Sequence, residues 1–342
     1  QESYDNSGLL VGNPNQNISK ALITLDVTED VLKEAIDNGC DFIIAHHPLI
    51  FQPLKNIDTQ SPLGSIITKL IKRDIALYAI HTNLDNVSNG VNSILAEELG
   101  LRNVRILSQK KNTLNKLVVF CPTDHVGIVQ KAMFKAGAGT IGDYTSCSFN
   151  SSGYGTFKAA EGTKPFVGEI GKLHREEEIR IEVILPSYLS SKVVSAMINS
   201  HPYEEVAYDI YPLSNEQQNI GAGMIGELDE DTEIKTFLKR VKKKLKTPYL
   251  RHSKLLNKKV KKIAICGGSG SFLIDVACRA EADVFITGDI KYHDFFEHTD
   301  LMTIVDAGHY ETEQYTKELL YDRLNGKFPN FALQISKART NP

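Results

Sequence analysis

Three short segments place histidines and carboxylates where apolar runs stop. The run Asp41-Phe-Ile-Ile-Ala ends in His46-His47-Pro48, and Pro48 cannot continue a hydrogen-bonded ladder. Neighbouring side chains of an extended segment diverge, so His46 and His47 suit two metal ions better than one. Paired turn histidines bonded to backbone are the alternative. The run Ile75-Ala-Leu-Tyr-Ala-Ile80 ends in His81-Thr-Asn-Leu-Asp85. Asp85 is a candidate metal ligand there, or a helix cap, and His81 a further ligand or a group orienting the carboxylate. The third segment is Met302-Thr-Ile-Val-Asp306-Ala-Gly-His309-Tyr-Glu311-Thr-Glu313. With a helix starting near Gly308, His309 and Glu313 stand four apart on one face and reach one ion, although such a pair also occurs on plain surfaces. Glu311 points elsewhere.

Each segment alone is weakly specific, but the three converge, because ligands collect at the carboxyl ends of parallel strands. Three imidazoles and two carboxylates without a thiolate suit two divalent ions per chain, zinc, iron, manganese or cobalt alike. Glu313 is a natural bridge between ions about 3.5 to 4 Å apart. Two further loops follow apolar runs. Cys266-Gly-Gly-Ser-Gly-Ser271 lacks the Gly-Lys-Ser/Thr ending of a P-loop. Its N–H groups are expected either to cradle a phosphate or carboxylate or to form a plain tight turn. In Gly288-Asp289-Ile-Lys-Tyr-His293-Asp294, His293 and Lys291 are candidates for substrate contact or proton transfer, a satisfied surface histidine being the alternative.

The elements that must position these residues follow an α/β rhythm. Strands are predicted over 21–25, 41–45 and 75–80, and helices over 28–38, 63–73 and 90–99. The rhythm returns with strands over 262–266, 283–287 and 302–305. Between the blocks, strands over 116–121, 145–150, 180–185 and 207–212 and helices over 125–136 and 189–200 read as two β-α-β units. That fits a split β-α-β, ferredoxin-like α+β domain inserted into the α/β domain. The expected division is 1–115 for the first metal-binding block, 116–214 for the insert and 215–342 for the second block, with polar hinges at 112–115 and 214–219.

A chain of 342 residues exceeds one hydrophobic core, and 42% hydrophobic with 24% charged residues excludes a disordered chain. A formal net charge of −3 gives no overall reason to bind nucleic acid or an anionic membrane. The local exception is the stretch Lys239, Arg240, Lys242, Lys243, Lys244, Lys246, Lys258, Lys259, Lys261 and Lys262, read as a solvated helix face or a phosphate-meeting patch. Five cysteines, widely spaced and without a C-x-x-C pair, suggest neither a disulfide framework nor a thiolate zinc knuckle. No apolar run reaches the roughly 18 residues of a membrane helix, and no signal segment opens the chain, so a cytoplasmic location is expected. The chain starts at Gln1 rather than Met, and a missing N-terminal piece is expected.

The segments Asp5-Asn-Ser-Gly-Leu-Leu-Val-Gly12, Ala45-His-His-Pro48, His81-Thr-Asn-Leu-Asp85, 288–294 and 306–313, in this order and spacing, closely resemble the Nif-three-like family. That family is also labelled GTP cyclohydrolase type 2 homologues, and the resemblance spans nearly the whole chain. It implies a dinuclear metal site, with ligand roles carried by the motifs onto His46, His47, Asp85, His309 and Glu313, and with His81 nearby. The middle segment, with Gly137-Ala-Gly139, Gly142-Asp-Tyr144 and His201-Pro-Tyr-Glu-Glu205, resembles the insert of longer bacterial members, which is similar to PII and CutA-like trimeric domains. A homohexamer with metal sites facing an internal cavity is implied. The family's usual helix ahead of the Asp5 motif is absent here, which is expected to affect packing rather than chemistry.

Two functions follow as expectations. One is a metal-dependent hydrolase of a nucleotide-like or other small substrate, with His293 or His81 moving protons. The family label points to opening the imidazole ring of GTP, although no residue in these motifs reads a guanine. The other is a non-catalytic metal-binding or regulatory assembly that senses a small ligand through the insert. A DNA- or transcription-factor-binding role rests only on the basic stretch.

Overall fold

The structure, a computed structural model, describes residues 2–256, 259–298 and 300–341. Lys258 of the basic stretch lies outside them. The chain is a mixed α/β protein whose described residues form two compact units, one from the residues up to 109 together with those from 218, the other from 110–217.

The first unit contains two sheets. In one, the strands run in the order Gly8–Val11, Ala76–Ala79, Phe42–Ala45, Lys20–Thr24, Ala332–Ile335. All neighbours are parallel except the first pair. The central strands are apolar because both faces are covered. On one face Leu22, Ile43 and Leu77 pack on Val31, Leu32, Ile66 and Leu70 of the helices Glu29–Asp37 and Pro62–Lys72. Ser61 caps the second of these helices and Pro62 opens it, the arrangement that leaves fewest stranded N–H groups. On the other face Ala21, Ile23 and Ile44 meet Val91 and Leu320.

The second sheet runs Arg251–His252, Thr303–Asp306, Val284–Gly288, Lys259–Ser269, Gly221–Glu233, Arg102–Gln109. Its strands Lys259–Ser269, Val284–Gly288 and Thr303–Asp306 are parallel. The strands predicted as one rhythm therefore divide between two sheets. Ala332–Ile335 joins the first sheet, and Arg102–Gln109 joins the second through Gly221–Glu233. Hydrophobic runs identify buried strands but not their partners, so the sequence implied one rim where there are two. The helix Val91–Leu99 serves both sheets, with Val91 in the core of the first and Leu95, Ala96 and Leu99 in the core of the second.

The basic stretch divides between a helix that covers the second sheet and, with Lys259, Lys261 and Lys262, the sheet's own strand Lys259–Ser269. The helix Ile234–Lys244 buries Ile234, Phe237, Leu238 and Val241 and leaves Lys239, Arg240, Lys242, Lys243 and Lys244 exposed, an amphipathic solvated face.

The second unit is one antiparallel sheet in the order Phe149–Lys158, Leu173–Pro186, Leu114–Pro122, Tyr208–Leu213. The helices Val126–Ala136 and Ser190–Ser200 complete a β-α-β-β-α-β chain order. Val129, Met133, Val193 and Met197 of these helices pack on Leu117, Val119, Ile181 and Val183 of the sheet. The hairpin Phe149–Lys158/Leu173–Pro186 is far longer than the predicted strands, because its outer half is largely exposed and scatters Tyr154, Phe157 and Leu173 among polar residues.

Phe237 is 0% exposed. Truncating it to alanine is expected to destabilise the protein by about 3 to 5 kcal/mol in urea unfolding, whereas Lys242→Ala should stay within about 0.5 kcal/mol. Equal effects would contradict the assignment of this helix's faces.

Candidate metal centre

The strand ends of the two sheets deliver the candidate ligands. His46 and His47 extend the parallel ladder beyond Phe42–Ala45, their N–H groups donating to Thr24 O at 3.1 Å and Leu25 O at 2.9 Å. His81 follows Ala76–Ala79, donates its N–H to His46 O at 2.9 Å, and holds a positive φ of 38° that is rare for a non-glycine residue. Asp85 closes the short helix Thr82–Asp85. From the second sheet, Thr303–Asp306 leads through Gly308 to the helix His309–Glu313, so His309 and Glu313 share a face.

The five side chains converge, and His46, His47 and Glu313 offer ligand atoms that all lie within 4.8 Å of one another, a group able to hold a metal ion. His46 Nε2 is 3.5 Å from Asp85 Oδ1 and 3.7 Å from Glu313 Oε1. Glu313 Oε2 is 2.9 Å from His47 Nε2 and 3.2 Å from His309 Nε2, and these two nitrogens are 3.3 Å apart. His46 is 0% and Glu313 4% exposed. Yet both ring nitrogens of His46, Asp85 Oδ1 and Glu313 Oε2 are shielded from water without a hydrogen-bond partner, the close approaches to Glu313 Oε2 lacking hydrogen-bond alignment. Buried polar atoms are ordinarily paired. Close-set nitrogens and oxygens without hydrogen bonds, as at His46 Nε2, Asp85 Oδ1 and Glu313 Oε2, fit a cation among them.

The outer groups fix the rings. His47 Nδ1 is 2.7 Å from Asp26 Oδ1, and Asp26 Oδ2 accepts from Thr340 Oγ1 at 2.7 Å. His309 Nδ1 is 2.6 Å from Asp289 Oδ2. Both contacts leave Nε2 facing the centre, the arrangement of carboxylate–histidine–metal triads. His81 Nδ1 is 2.7 Å from Asp5 Oδ1, and Asp5 also accepts from the N–H and hydroxyl of Thr82. The His81 ring lies 5.7 Å from each of the His46 and His47 rings. His293 is placed differently, exposed in the turn His293–Phe296 with its ring 5.2 Å from Tyr292.

Asp26 and Asp289 were not singled out in the sequence. The signal was their position, just past the ends of Lys20–Thr24 and Val284–Gly288. The glycine-rich loop is not an anion cradle. Gly267 N–H donates to Asn92 Oδ1 and Gly268 N–H to Thr312 Oγ1, both at 2.9 Å. Gly268 holds φ +63°, and a Cβ there would collide with Glu313 Oε1. The glycine lets the carboxylate approach the backbone.

Charge follows from this packing. Burial opposes the charge on His47, but Asp26 and Glu313 outweigh it and raise its pKa to about 10. His309 likewise overcomes burial through Glu313 and Asp289 and rises to about 9. Burial lifts Asp85 to about 6. Burial would lift Glu313 too, but the imidazoles of His46, His309 and His47 beside it hold it well below the carboxylate range. His47 and His309 are therefore protonated at pH 7 without metal, and a bound cation must displace those protons.

A family model, Duf34/NIF3 (NGG1p interacting factor 3), matches residues 1–342. The "GTP cyclohydrolase 1 type 2 homolog" of Halalkalibacterium halodurans is 45% identical over 99% of this chain and 92% of its own length. The protein of the same description from Bacillus subtilis is 42% identical with the same coverage. Among solved structures, a Bacillus cereus protein related to NIF3 is 44% identical, with a TM-score of 0.85 over 100% of this chain and 93% of that one. Staphylococcus aureus protein SA1388 is 32% identical, with a TM-score of 0.77 over 100% and 92%.

Two outcomes are expected. Metal binding at pH 7 should release about two protons per chain, read by calorimetry in buffers of different ionisation enthalpy, and apparent affinity should rise as pH climbs toward 9 and 10. Binding without proton release would contradict the protonation assigned to His47 and His309. Asp26→Asn and Asp289→Asn should each weaken metal binding about 10- to 100-fold in chelator competition. Unchanged affinity in both would remove the orienting role.

Proposed function

The chain belongs to the Duf34/NIF3 family, and from that premise we propose that it is a metal-dependent hydrolase with a two-ion centre. One ion would lie between His46, Asp85 and Glu313 Oε1, the other between His47, His309 and Glu313 Oε2, with zinc preferred over iron, manganese or cobalt. The observation that carries this reading is the convergence of partnerless, buried nitrogens and oxygens from two sheets. A divalent pair held there supplies Lewis acidity and lowers the pKa of a coordinated water toward neutrality.

The chain's own residues do the rest. Five protein ligands for two ions leave positions open for substrate, as a catalytic centre requires. A cavity of about 410 Å³ adjoins the cluster, lined among others by His47, His81, His309, Phe51 and Tyr310. His81 is the proton-moving group we favour, because its Nδ1 is fixed on Asp5 and its ring borders that cavity. His293 is not among the lining residues. The exposed ring of Phe51 and the adjoining Tyr310 suit a small, flat substrate. The relatives' name, GTP cyclohydrolase 1 type 2 homolog, points to a nucleotide such as GTP as the substrate.

A second reading, a metal-binding or regulatory assembly that senses a ligand through the inserted unit, is favoured by the separate cavity that unit holds. The β-α-β-β-α-β order of that unit supports a PII/CutA-like insert, and with it the homohexamer proposed here. A cytoplasmic location fits the free cysteines; no helix among the described residues is long and apolar enough to cross a membrane.

A panel of nucleotides and phosphoesters, assayed with metal-loaded and chelator-stripped protein, tests the enzyme reading. Turnover should require metal, and Glu313→Gln or His46→Ala should lose roughly a hundredfold or more of it together with bound metal. Two bound ions without turnover across the panel would transfer support to the regulatory reading.

A further inference from the structure

The cavity in the inserted unit has a chemistry of its own. It measures about 590 Å³, within the range of small-molecule sites, and is lined only by residues of that unit. It opens on the sheet face away from the two helices. In the register of Leu114–Pro122 with Leu173–Pro186, Val119 and Ile181 face the helical core, and the pair Phe120 and Arg180 faces the cavity side. Phe157, Phe166 and Tyr203 form an aromatic wall, the Tyr203 ring lying 6.5 Å from Phe157 and 6.1 Å from Phe166.

The charged side chains of this lining are mostly acidic. Glu178, Glu204 and Glu205 line the cavity, and the single guanidinium there, Arg180, is within 3.0 Å of Glu182. A Cβ at Gly155 would collide with Glu178 Oε2, so the glycine leaves room for this carboxylate over the cavity floor. Tyr203 Oη is shielded from water and lies against the Glu178 carboxylate. Aromatic faces attract a cation within about 6 Å, most strongly where water is excluded. An anion would meet carboxylates on arrival. A neutral apolar guest would desolvate Glu178 without compensation.

We infer that this cavity binds a small organic cation, an ammonium group on an apolar body, with the ammonium between the aromatic wall and Glu178. The site is independent of the two-ion centre, since no metal-centre residue lines it.

The test uses the full chain and choline as the head-group probe, followed by calorimetry and ligand-observed NMR. Its uncharged tert-butyl analogue and benzoate serve as the neutral and anionic arms. Choline should saturate one site per chain and bind about tenfold or more tighter than the tert-butyl analogue. Phe166→Ala, at an exposed ring, and Glu178→Gln should each weaken choline by on the order of tenfold while bound metal stays at the wild-type level. His46→Ala should leave choline binding unchanged. Equal binding of choline and its neutral analogue, tighter binding of benzoate, or no saturation by choline would each overturn the inference.

Discussion

A carboxylate buried as completely as that of Glu313 keeps its charge only if compensating charge surrounds it. Three imidazoles do so, from two sheets and from sequence positions far apart, and the architecture of the first unit is arranged around that requirement. His46 and His47 can reach Glu313 because they prolong a parallel strand by two further ladder hydrogen bonds instead of turning away. Glu313 can reach them because Gly268 presents bare backbone where any side chain would collide with the carboxylate. Without a cation the cluster is held by protons, and those protons are what a metal must replace.

Strain gathers at the same place. His81 and Asp289 both hold positive φ, 38° and 57°, and both belong to the ring-orienting layer, one beside Asp85 and the other behind His309. Such conformations persist only where surrounding bonds over-determine them. Asp5 fixes His81 through three bonds to it and Thr82, and Asp289 is tied to His309. The chain's last described turn joins in, since Glu34 accepts the N–H groups of Lys337 and Ala338 and so sets Thr340 against Asp26. Distant parts of the chain therefore converge on the orientation of His47.

Much of this was legible in the sequence, for physical reasons. Apolar runs ending in histidine announce strand ends, and four-residue spacing on a helix puts His309 and Glu313 on one face. The orienting carboxylates were harder to see. Asp26 stands alone after its strand with no neighbouring histidine, and Asp289 sat beside the more conspicuous Lys291 and His293. The division into two sheets was illegible because pairing is a long-range property, decided by Gly221–Glu233 bridging strands from both blocks. The loop after Cys266 left two readings open for a related reason: glycines that admit a ligand and glycines that admit a neighbouring side chain look alike until the neighbour, Glu313, is in place.

On the proposed function, His46, His47, Asp85, His309 and Glu313 would together hold two ions. Anomalous diffraction from crystals of the metal-loaded protein, with elemental analysis of the same sample, tests it most directly. The account predicts two anomalous peaks per chain, about 3.5 to 4 Å apart, one beside His46 and Asp85 and one between His47 and His309. A single peak would reduce the centre to one ion, and no peak among these residues would contradict the claim outright.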